Sequence, residues 1–369
     1  MYYWVIVPFI VHTNFFITFV SKTTSMRKKT KYIISIISIL FIIGVIASGL
    51  IYYLFLHPQF HPTTKVYVYI DRDDNIDSVY NKVYSIGKAN QFIGFKWMAG
   101  YRHYDKNIHT GRYALSPNEN VYHVFSRLYR GYQEPTNLII GSVRTIDRLA
   151  KNVGNQLMID SIDISNLVND PSILQEYQLT PETLPTLFIP NTYQVYWNIS
   201  AREFLNRMLK ENNRFWTDER KEKAKTLGLT PVEVSTLASI VEEETNNKGE
   251  KPIVAGLYIN RLKKGMPLQA DPTVKFAWQD FELRRITNKH LTINSPYNTY
   301  INTGLPPGPI RIPSPEGIDA VLNYNKHNYL YMCAKEDFSG THNFATTLSE
   351  HNRNARKYWD ALNKRKIYK

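Results

Sequence analysis

The chain has 369 residues, 43% of them hydrophobic, and a formal net charge of +13. This length exceeds that of one average domain and can bury at least one sizeable core. The single cysteine, Cys333, excludes an intrachain disulfide, and the absence of HExxH, cysteine-pair, phosphate-binding glycine-loop and G-x-S-x-G motifs leads us to expect no metal, no other cofactor and no serine-hydrolase chemistry.

The N-terminal region contains a candidate membrane anchor. Residues 32–56 form an uncharged run that is long enough to cross a hydrocarbon core of about 30 Å as a helix. Residues 26–31 are basic, so the positive-inside rule predicts that this flank is cytoplasmic and that everything after Leu56 is extracytoplasmic. We therefore predict a single-pass protein of the cytoplasmic (inner) membrane with a periplasmic C-terminal part. A cleaved signal peptide is the alternative, but the run exceeds the usual signal core of about 7 to 15 residues and lacks a small-x-small cleavage site.

Residues 1–25 are a second apolar segment, interrupted by His12, Thr13 and Asn14. They are either an additional span that enters from outside or the result of a start site set too early. We favour the second interpretation, because Met26 followed by basic residues has the form of a natural start for a membrane anchor. Both interpretations leave the C-terminal bulk on the same side of the membrane.

The positive charge is spread along the chain, apart from the basic flank and a tail that comprises Lys364, Arg365, Lys366 and Lys369. Together with a membrane anchor, this distribution favours anionic lipid head groups and an acidic cell-wall polymer as partners over nucleic acid.

The sequence that follows the apolar run predicts an α+β protein with two domains. Residues 57–64 have two prolines and are predicted to be a short linker. A small αβ module is predicted over 65–135, with strands at 65–70 and 111–117, and a mixed α+β domain over 136–369. Helical spacing is expected in residues 74–86, 90–101 and 121–131 of the module.

Within the second domain, residues 200–226 are predicted to form one long, charged helix. The residues expected to face inward are Phe204, Met208, Leu209 and Trp216. Residues 252–266 are predicted to form a further helix, and residues 267–315, rich in Pro, Gly, Asn and Thr, a long loop region. Long loops on a rigid scaffold often carry binding residues.

Between these segments, residues 230–245 are predicted to form a helix with a well-marked start. Thr230 and Glu233 have the spacing of a capping box, and Pro231 occupies the first helical position. At roughly 100° per residue, one apolar stripe comprises Val234, Leu237, Ala238 and Val241, with Ile240 at its margin.

Glu244 falls on this stripe, whereas Glu243 points to the opposite side and Glu242 lies well off it. Desolvation on an apolar surface raises the pKa of a carboxyl group, and a raised pKa suits a general acid at neutral pH. The alternative is an acidic cluster at a helix end, exposed to solvent.

Further segments carry a family resemblance, in the order INRL, LQADPT, YNTY, GLPPGPI and GTHNF at 259–262, 268–273, 297–300, 304–310 and 340–344. Together with SIVEEET, they resemble the endolytic murein transglycosylases, or YceG-like proteins. The resemblance implies an N-terminal anchor, a LysM-like module at 65–135 and a catalytic domain at 136–369. It places the catalytic glutamate at Glu244. Glu243 stands where a lysine is common in the family, and this extra negative charge, if close, would help to raise the pKa of Glu244.

The resemblance implies a lyase that cuts the β-1,4 bond between N-acetylmuramic acid and N-acetylglucosamine in peptidoglycan without water. Glu244 would protonate the leaving oxygen and then accept the proton of the C6 hydroxyl, which attacks C1 to give a 1,6-anhydro sugar. The resemblance also implies work with peptidoglycan synthases and a role in limiting strand length, for which composition offers no support.

A hydrolase needs a second carboxylate, and Asp271 is the motif carboxylate available for that role. Its place in an A-D-P-T turn favours a structural task instead, in which it accepts backbone N–H bonds and shapes a loop.

Several polar residues are candidate substrate contacts, each with a structural alternative. Arg261 suits bidentate binding of a lactyl or peptide carboxylate, or an internal salt bridge. His342 suits substrate binding, or a hydrogen-bonded loop. Amides and aromatic rings that suit sugar binding are those of Asn260, Gln269, Tyr297, Asn298 and Tyr300.

Two further hypotheses compete with the lyase. One is a muramidase-type hydrolase that uses Glu244 with Asp271. The other is a non-catalytic scaffold that binds the cell wall through the LysM-like module, although Glu244 on an apolar stripe beside a polar loop region argues against it.

Overall fold

The structure, a computed structural model, describes residues 28–283 and 285–365. The apolar segment 1–25 and the tail residues Lys366 and Lys369 lie outside the described residues. The chain divides into two compact units, and the boundary falls between Glu134 and Pro135, one residue from the predicted position.

The first unit begins with the apolar helix α1 (Lys28–Ile51), which continues through Tyr52–Leu56 as one π-helical turn. Over its 29 residues the helix has a peak mean hydropathy of 2.7, and none of this most apolar stretch is buried. Within the described residues it is the one helix long and apolar enough to cross a membrane. The helix contains the predicted span 32–56 and begins four residues before it.

The rest of the first unit is a small αβ module. Its elements are β1 (Pro58–Phe60), β2 (Val66–Ile70), α2 (Ile76–Gly87), α3 (Ile93–Tyr101), a 3₁₀ turn (Tyr104–Lys106), β3 (Gly111–Leu115), β4 (Glu119–Asn120) and α4 (Val121–Tyr129). Two antiparallel pairs form, β1 with β4 and β2 with β3, the latter with Val68 opposite Tyr113. The core is aromatic and includes Phe60, Phe95, Tyr104, Tyr113 and Phe125. The likeness of this module to LysM stays a prediction.

The predicted linker at 57–64 is wrong, because β1 lies within it. Phe60 is fully buried, and the Gln59 side chain donates a 2.9 Å hydrogen bond to the Tyr53 carbonyl in the last turn of the apolar helix. A three-residue strand between two prolines is too short to show alternation, which is why composition suggested a linker.

The second unit contains two antiparallel strand pairs, β5 (Thr136–Ile140) with β6 (Asn191–Val195) and β7 (Tyr331–Ala334) with β8 (His342–Ala345). Its helices are α5 (Ile146–Gly154), α6 (Ser161–Val168), α7 (Pro171–Glu176), α8 (Ala201–Phe215), α9 (Asp218–Leu227), α10 (Pro231–Glu244), α11 (Lys251–Lys263), α12 (Asp271–Trp278), α13 (Pro315–Leu322) and α14 (Leu348–Lys364), with 3₁₀ turns at Leu184–Leu187 and His290–Thr292. One hydrophobic cluster lies around β5 and β6 and another around α10 and α11.

Two predictions about this unit are wrong in detail. The helix predicted over 200–226 is broken into α8 and α9 at Trp216, because the Thr217 side chain accepts from the Arg220 N–H and caps a new helix. The inward positions Phe204, Met208 and Trp216 are buried as predicted. The predicted loop region 267–315 contains α12, whose first turn carries a proline.

We expect the Gly256→Ala variant to unfold more easily than the parent protein. Alanine normally stabilises a helix interior by about 1 kcal/mol relative to glycine. On α11, however, an added Cβ would lie 2.4 Å from the Asn325 carbonyl oxygen, and this overlap should cost about 1–3 kcal/mol. Chemical denaturation of the full chain in detergent measures the difference. The matched control is Gly141→Ala, where nothing lies within 4 Å of the added Cβ; an equal loss in both variants would contradict the steric explanation.

Candidate active site

Helix α10 begins as predicted. The Thr230 hydroxyl accepts from the Glu233 N–H at 3.2 Å, and the Glu233 carboxylate accepts from the Thr230 N–H at 2.7 Å. The predicted capping box is confirmed, and it sets the register that brings Glu244 to the last turn.

The prediction of a single apolar stripe on α10 is too narrow, because every residue from Val234 to Glu242 is buried. Thr236 and Ser239 lie outside the predicted stripe and are nevertheless buried. Their hydroxyls donate to helix carbonyls at 2.9 and 2.7 Å, so small polar residues can be buried there. The Ser239 oxygen also accepts from the Ile310 N–H at 3.0 Å, which ties the GLPPGPI segment to the helix.

The three glutamates at the end of α10 have three different environments. Glu242 is buried and accepts from the backbone N–H of Ser314, the N-cap residue of α13, at 3.0 Å. Glu243 forms ion pairs with Arg144 at 2.7 Å and Arg311 at 3.0 Å. Glu244 accepts instead from a hydroxyl, that of Tyr258, at 2.8 Å. The alternative of an acidic cluster in solvent is therefore wrong.

Glu244 lies in a pocket of about 260 Å³. The pocket is bounded by α10, α11, the segment that leads into α12, and β7 and β8. Its lining comprises Glu244, Leu257, Tyr258, Arg261, Leu268, Gln269, Asp271, Tyr300, Met332, Cys333, Ala334 and His342. Among the residues described, no group of three or more His, Cys, Asp or Glu side chains is arranged to hold a metal ion.

Burial raises the pKa of the Glu244 carboxyl to about 7. The Tyr258 hydrogen bond lowers this pKa, since it stabilises the ionised form, while the negative charges of Asp271 and Glu243 raise it and Lys275 lowers it slightly. At neutral pH the protonated and ionised forms are therefore both well populated. Such a group can donate a proton and afterwards accept one.

Tyr258 is a site residue that the sequence reasoning missed. Its ring is buried in α11, and burial together with the neighbouring Glu244 raises the pKa of its hydroxyl well above its ordinary value, so it acts as a hydrogen-bond donor. A signal was present, because Tyr258 precedes Arg261 by three residues on one helix and so lies on the same face.

Asp271 is exposed and lines the pocket at the first residue of α12. The Tyr300 hydroxyl donates to its carboxylate at 2.5 Å, whereas the expectation was that Asp271 accepts backbone N–H bonds within a turn. Burial and this carboxylate raise the pKa of the Tyr300 hydroxyl above its ordinary range. Asp271 and Tyr300 thus form a polar pair in the same pocket as Glu244.

Arg261 lines the pocket, but its guanidinium is committed to the fold. It donates to the backbone carbonyls of Leu330 at 2.6 Å and Leu268 at 2.9 Å and to the Gln269 side chain at 3.2 Å. These partners are carbonyls and an amide, so the internal salt bridge is wrong, whereas the carboxylate-binding role stays a prediction. Gln269 also lines the pocket and is held by its N–H, which donates to the Thr299 carbonyl at 3.0 Å.

Asn260 and Asn298, two of the predicted substrate contacts, donate their side-chain amides to loop carbonyls. The Asn260 amide donates to the carbonyls of His327 and Tyr329 at 2.8 and 3.1 Å. Asn298 is fully buried, and its amide donates to two carbonyls of the segment 291–293. Neither residue belongs to the pocket lining.

Tyr297, another predicted substrate contact, also lies outside the pocket lining. Its ring packs on Phe276 with the centroids 4.7 Å apart, and burial raises the pKa of its hydroxyl to about 12. It belongs to the hydrophobic cluster around α10 and α11 and not to the pocket lining.

His342 lines the pocket from β8, where a loop was expected. Its Nδ1 lies 3.0 Å from a Glu250 carboxylate oxygen, and its backbone N–H donates to the other at 2.8 Å. Glu250 also accepts from the hydroxyl of Thr245, the neighbour of Glu244, at 3.2 Å. This buried acid is a second residue that the sequence reasoning missed, and its partner lies 92 positions away, beyond any local pattern.

Comparison with known proteins gives matches over most of the chain. A profile of the YceG-like family matches residues 68–357. The endolytic murein transglycosylase of Bacillus subtilis (strain 168) is 39% identical over 166 residues, which cover 45% of this chain and 45% of that protein. The endolytic murein transglycosylase of Streptococcus pneumoniae serotype 2 (strain D39) is 26% identical over 328 residues, which cover 79% of this chain and 58% of that protein.

These alignments span between 45% and 58% of the two curated relatives. A crystal structure of a putative yceG-like protein from Listeria monocytogenes is also similar. It has a TM-score of 0.53 at 28% identity, and the match covers 78% of this chain and 98% of that one.

We expect the stability of Glu244→Gln relative to the parent protein to be greater at alkaline pH than at acidic pH. The pKa of Glu244 rises from an ordinary 4.5 to about 7 on folding, so the folded state loses stability as pH rises through this window. Glutamine does not titrate, and the difference in free energy of unfolding between variant and parent should therefore shift by about 3 kcal/mol in favour of the variant between pH 4 and pH 8. Chemical denaturation at the two pH values checks this. No shift would mean that Glu244 titrates as it does in the unfolded chain.

We expect Tyr258→Phe to raise the pKa of Glu244 further, because the lost hydrogen bond favours the ionised form. The measurement is a carboxyl ¹³C NMR titration with labelled glutamate, in which the Glu244→Gln spectrum assigns the signal. Tyr297→Phe is the matched control and should leave the midpoint unchanged, since that ring lies outside the pocket. A lower midpoint in Tyr258→Phe would contradict the assigned direction of the hydrogen bond.

Proposed function

The chain belongs to the YceG-like family, and on this premise we propose that it is a membrane-anchored endolytic transglycosylase that cleaves peptidoglycan glycan strands. The bond cut is the β-1,4 bond between N-acetylmuramic acid and N-acetylglucosamine, and the product ends in 1,6-anhydro-N-acetylmuramic acid. The observation that carries this proposal is the position of Glu244, which lines a pocket together with polar side chains and accepts a hydrogen bond from Tyr258; its raised pKa, at about 7, supports it.

One carboxyl group performs both proton transfers. Protonated Glu244 donates its proton to the glycosidic oxygen of the departing N-acetylglucosamine as the C1–O bond breaks. The resulting carboxylate accepts the proton of the muramic C6 hydroxyl while the C6 oxygen forms its bond to C1. Glu244 ends protonated, as it began, and no water is consumed. A pKa near the working pH makes both forms accessible, which is the condition for this double role.

The neighbours of Glu244 support this cycle. The Tyr258 hydroxyl stabilises the carboxylate that exists between the two transfers, since it donates to Glu244 at 2.8 Å. Four polar side chains of the pocket lining can contact sugar hydroxyls and acetamido groups: those of Gln269 and Asp271, which are exposed, and those of Tyr300 and His342, which are partly buried. Of the predicted substrate contacts, these four and Arg261 remain in the proposal.

A muramidase-type hydrolase is the second candidate, because Asp271 is an exposed carboxylate in the same pocket. In that mechanism Asp271 acts as nucleophile or as the base that activates water. The two mechanisms give different products, so they can be separated.

The location of the enzyme forms part of the proposal. The apolar helix Lys28–Leu56 would anchor the chain in the cytoplasmic membrane with the second unit in the periplasm. There it would meet nascent glycan strands near the peptidoglycan synthases, limit strand length and need no cofactor.

The test is mass spectrometry of glycan strands digested by the full-length protein in detergent. Anhydro ends, one water lighter than reducing ends, are expected from the parent protein, and only reducing ends would favour the hydrolase. Glu244→Gln should lose cleavage by at least about 100-fold, since it removes the acid.

Two further variants complete this test. Glu222→Gln, an exposed glutamate of α9, controls for the chemical change and should cleave as the parent does. Asp271→Asn should still give anhydro ends; complete loss of cleavage with retained folding would indicate that a second carboxylate is essential. Full activity of Glu244→Gln would overturn the proposal.

A further inference from the structure

Helix α3 of the first unit has an unusual exposed face. Ile93, Trp97 and Tyr101 are spaced four residues apart, so they form one stripe along the helix, and they are 67%, 60% and 68% exposed. The rings of Trp97 and Tyr101 are stacked, with the centroids 5.4 Å apart. The opposite face, with Phe95 and Ala99, is buried in the core.

This stripe lies beside the end of the apolar helix. The Phe55 ring contacts the Trp97 ring edge to face at 5.5 Å, and the Gln91 side chain donates to the Leu54 carbonyl at 3.4 Å. At Gly94 the two helices are so close that a Cβ would lie 2.3 Å from that carbonyl oxygen.

The end of the apolar helix is also bound by the residues that follow it. The Tyr53 carbonyl accepts from the Gln59 side chain at 2.9 Å, and the Tyr52 carbonyl accepts from the His57 N–H at 2.8 Å. With Gln91 on Leu54, two successive carbonyls of the last turn accept hydrogen bonds from side chains of the module, and the third is bonded by the residue that caps the turn. The module therefore packs directly on the end of the helix.

We propose that the Ile93–Trp97–Tyr101 stripe is a lipid-binding surface that rests in the outer interface of the bilayer crossed by the apolar helix. The inference rests on the membrane anchor in the proposed function and goes beyond it. If residues 32–56 span the hydrocarbon core, the contact with Phe55 brings Trp97 to the level where the span ends. Trp and Tyr are the residues enriched at that depth.

Charge supports lipid as the occupant of this face. Lys96 and Arg102 are exposed on or next to the stripe, and α3 itself carries no acidic residue; the nearest acid that follows is Asp105. An apolar stripe with flanking cations fits an interface with anionic head groups. The stripe is also next to the end of a helix whose most apolar stretch is not buried.

The test places an environment-sensitive probe beside the stripe and leaves the stripe intact. Gly100 is exposed on α3, and nothing lies within 4 Å of a Cβ added there. Full-length Gly100→Cys, in a Cys333→Ser background, is labelled with the fluorophore NBD and reconstituted into vesicles of phosphatidylethanolamine and phosphatidylglycerol. We expect a blue-shifted emission that is quenched by lipids with a nitroxide near the head group.

A matched pair of variants then tests the stripe itself. Replacing Ile93, Trp97 and Tyr101 by serine should abolish the blue shift and the quenching. Replacing Tyr122 and Tyr132, which are exposed elsewhere in the same unit, by serine should change neither. Circular dichroism confirms folding of both.

Three results would overturn the proposal, and they are distinguishable. If alkaline carbonate extracts the protein from the vesicles, the apolar helix does not span the membrane, and the premise of the proposal is lost. A retained protein with an unshifted, unquenched probe would leave the span in place and refute the surface. A blue shift that is not quenched by nitroxide lipid and grows with protein density would identify a second copy of the chain as the occupant.

Discussion

The chemistry of the second unit depends on one constraint, the desolvation of the Glu244 carboxyl without an opposing cation. Burial alone makes ionisation costly, but a single well-placed arginine would restore an ordinary pKa. Within the described part of the chain, no lysine or arginine forms an ion pair with Glu244. Arg144 and Arg311 pair with Glu243, and Arg261 donates to backbone carbonyls, so Lys275 is left as the cation that lowers the pKa of Glu244, and it does so only slightly. Glu243 thus has two effects on Glu244. It pairs with the two arginines, and its negative charge slightly raises the pKa of Glu244.

This arrangement requires that α10 be buried on all sides and still end at an open pocket. The helix can be buried because the hydroxyls of Thr236 and Ser239 donate to its own carbonyls. These small side chains also leave room for α11 and α13 to pack closely against it. Its last turn is then fixed from outside, by Ser314 on Glu242 and by the ion pairs of Glu243. Because these contacts hold the two preceding residues, Glu244 can remain loosely bound, by a single neutral hydrogen bond, without losing its position.

The features of this site that could be predicted from the sequence are those that depend on residues close together in the chain. The capping box and the pocket-facing position of Glu244 are local and follow from helical spacing over 14 residues. The burial of Glu242 was not predictable in the same way, because its partner Ser314 is 72 positions away. Asn298 shows the same limit: its amide looked suited to sugar, but a fully buried amide is consumed by the loop carbonyls that it organises. The prediction of a linker at 57–64 was wrong for a different reason, since a strand of three residues is too short to show a hydrophobic periodicity.

The position of Asp271 bears on whether one or two carboxylates carry the chemistry. A nucleophilic carboxylate needs a free oxygen directed at C1, and a loop-shaping one should be saturated by backbone N–H groups. Asp271 does not fit the loop-shaping description, since it is exposed and takes a 2.5 Å hydrogen bond from the Tyr300 hydroxyl on one oxygen. Its negative charge raises the pKa of Glu244. We infer that Asp271 favours the protonated form of Glu244, and that the hydrogen bond from the Tyr300 hydroxyl holds the Asp271 carboxylate in place.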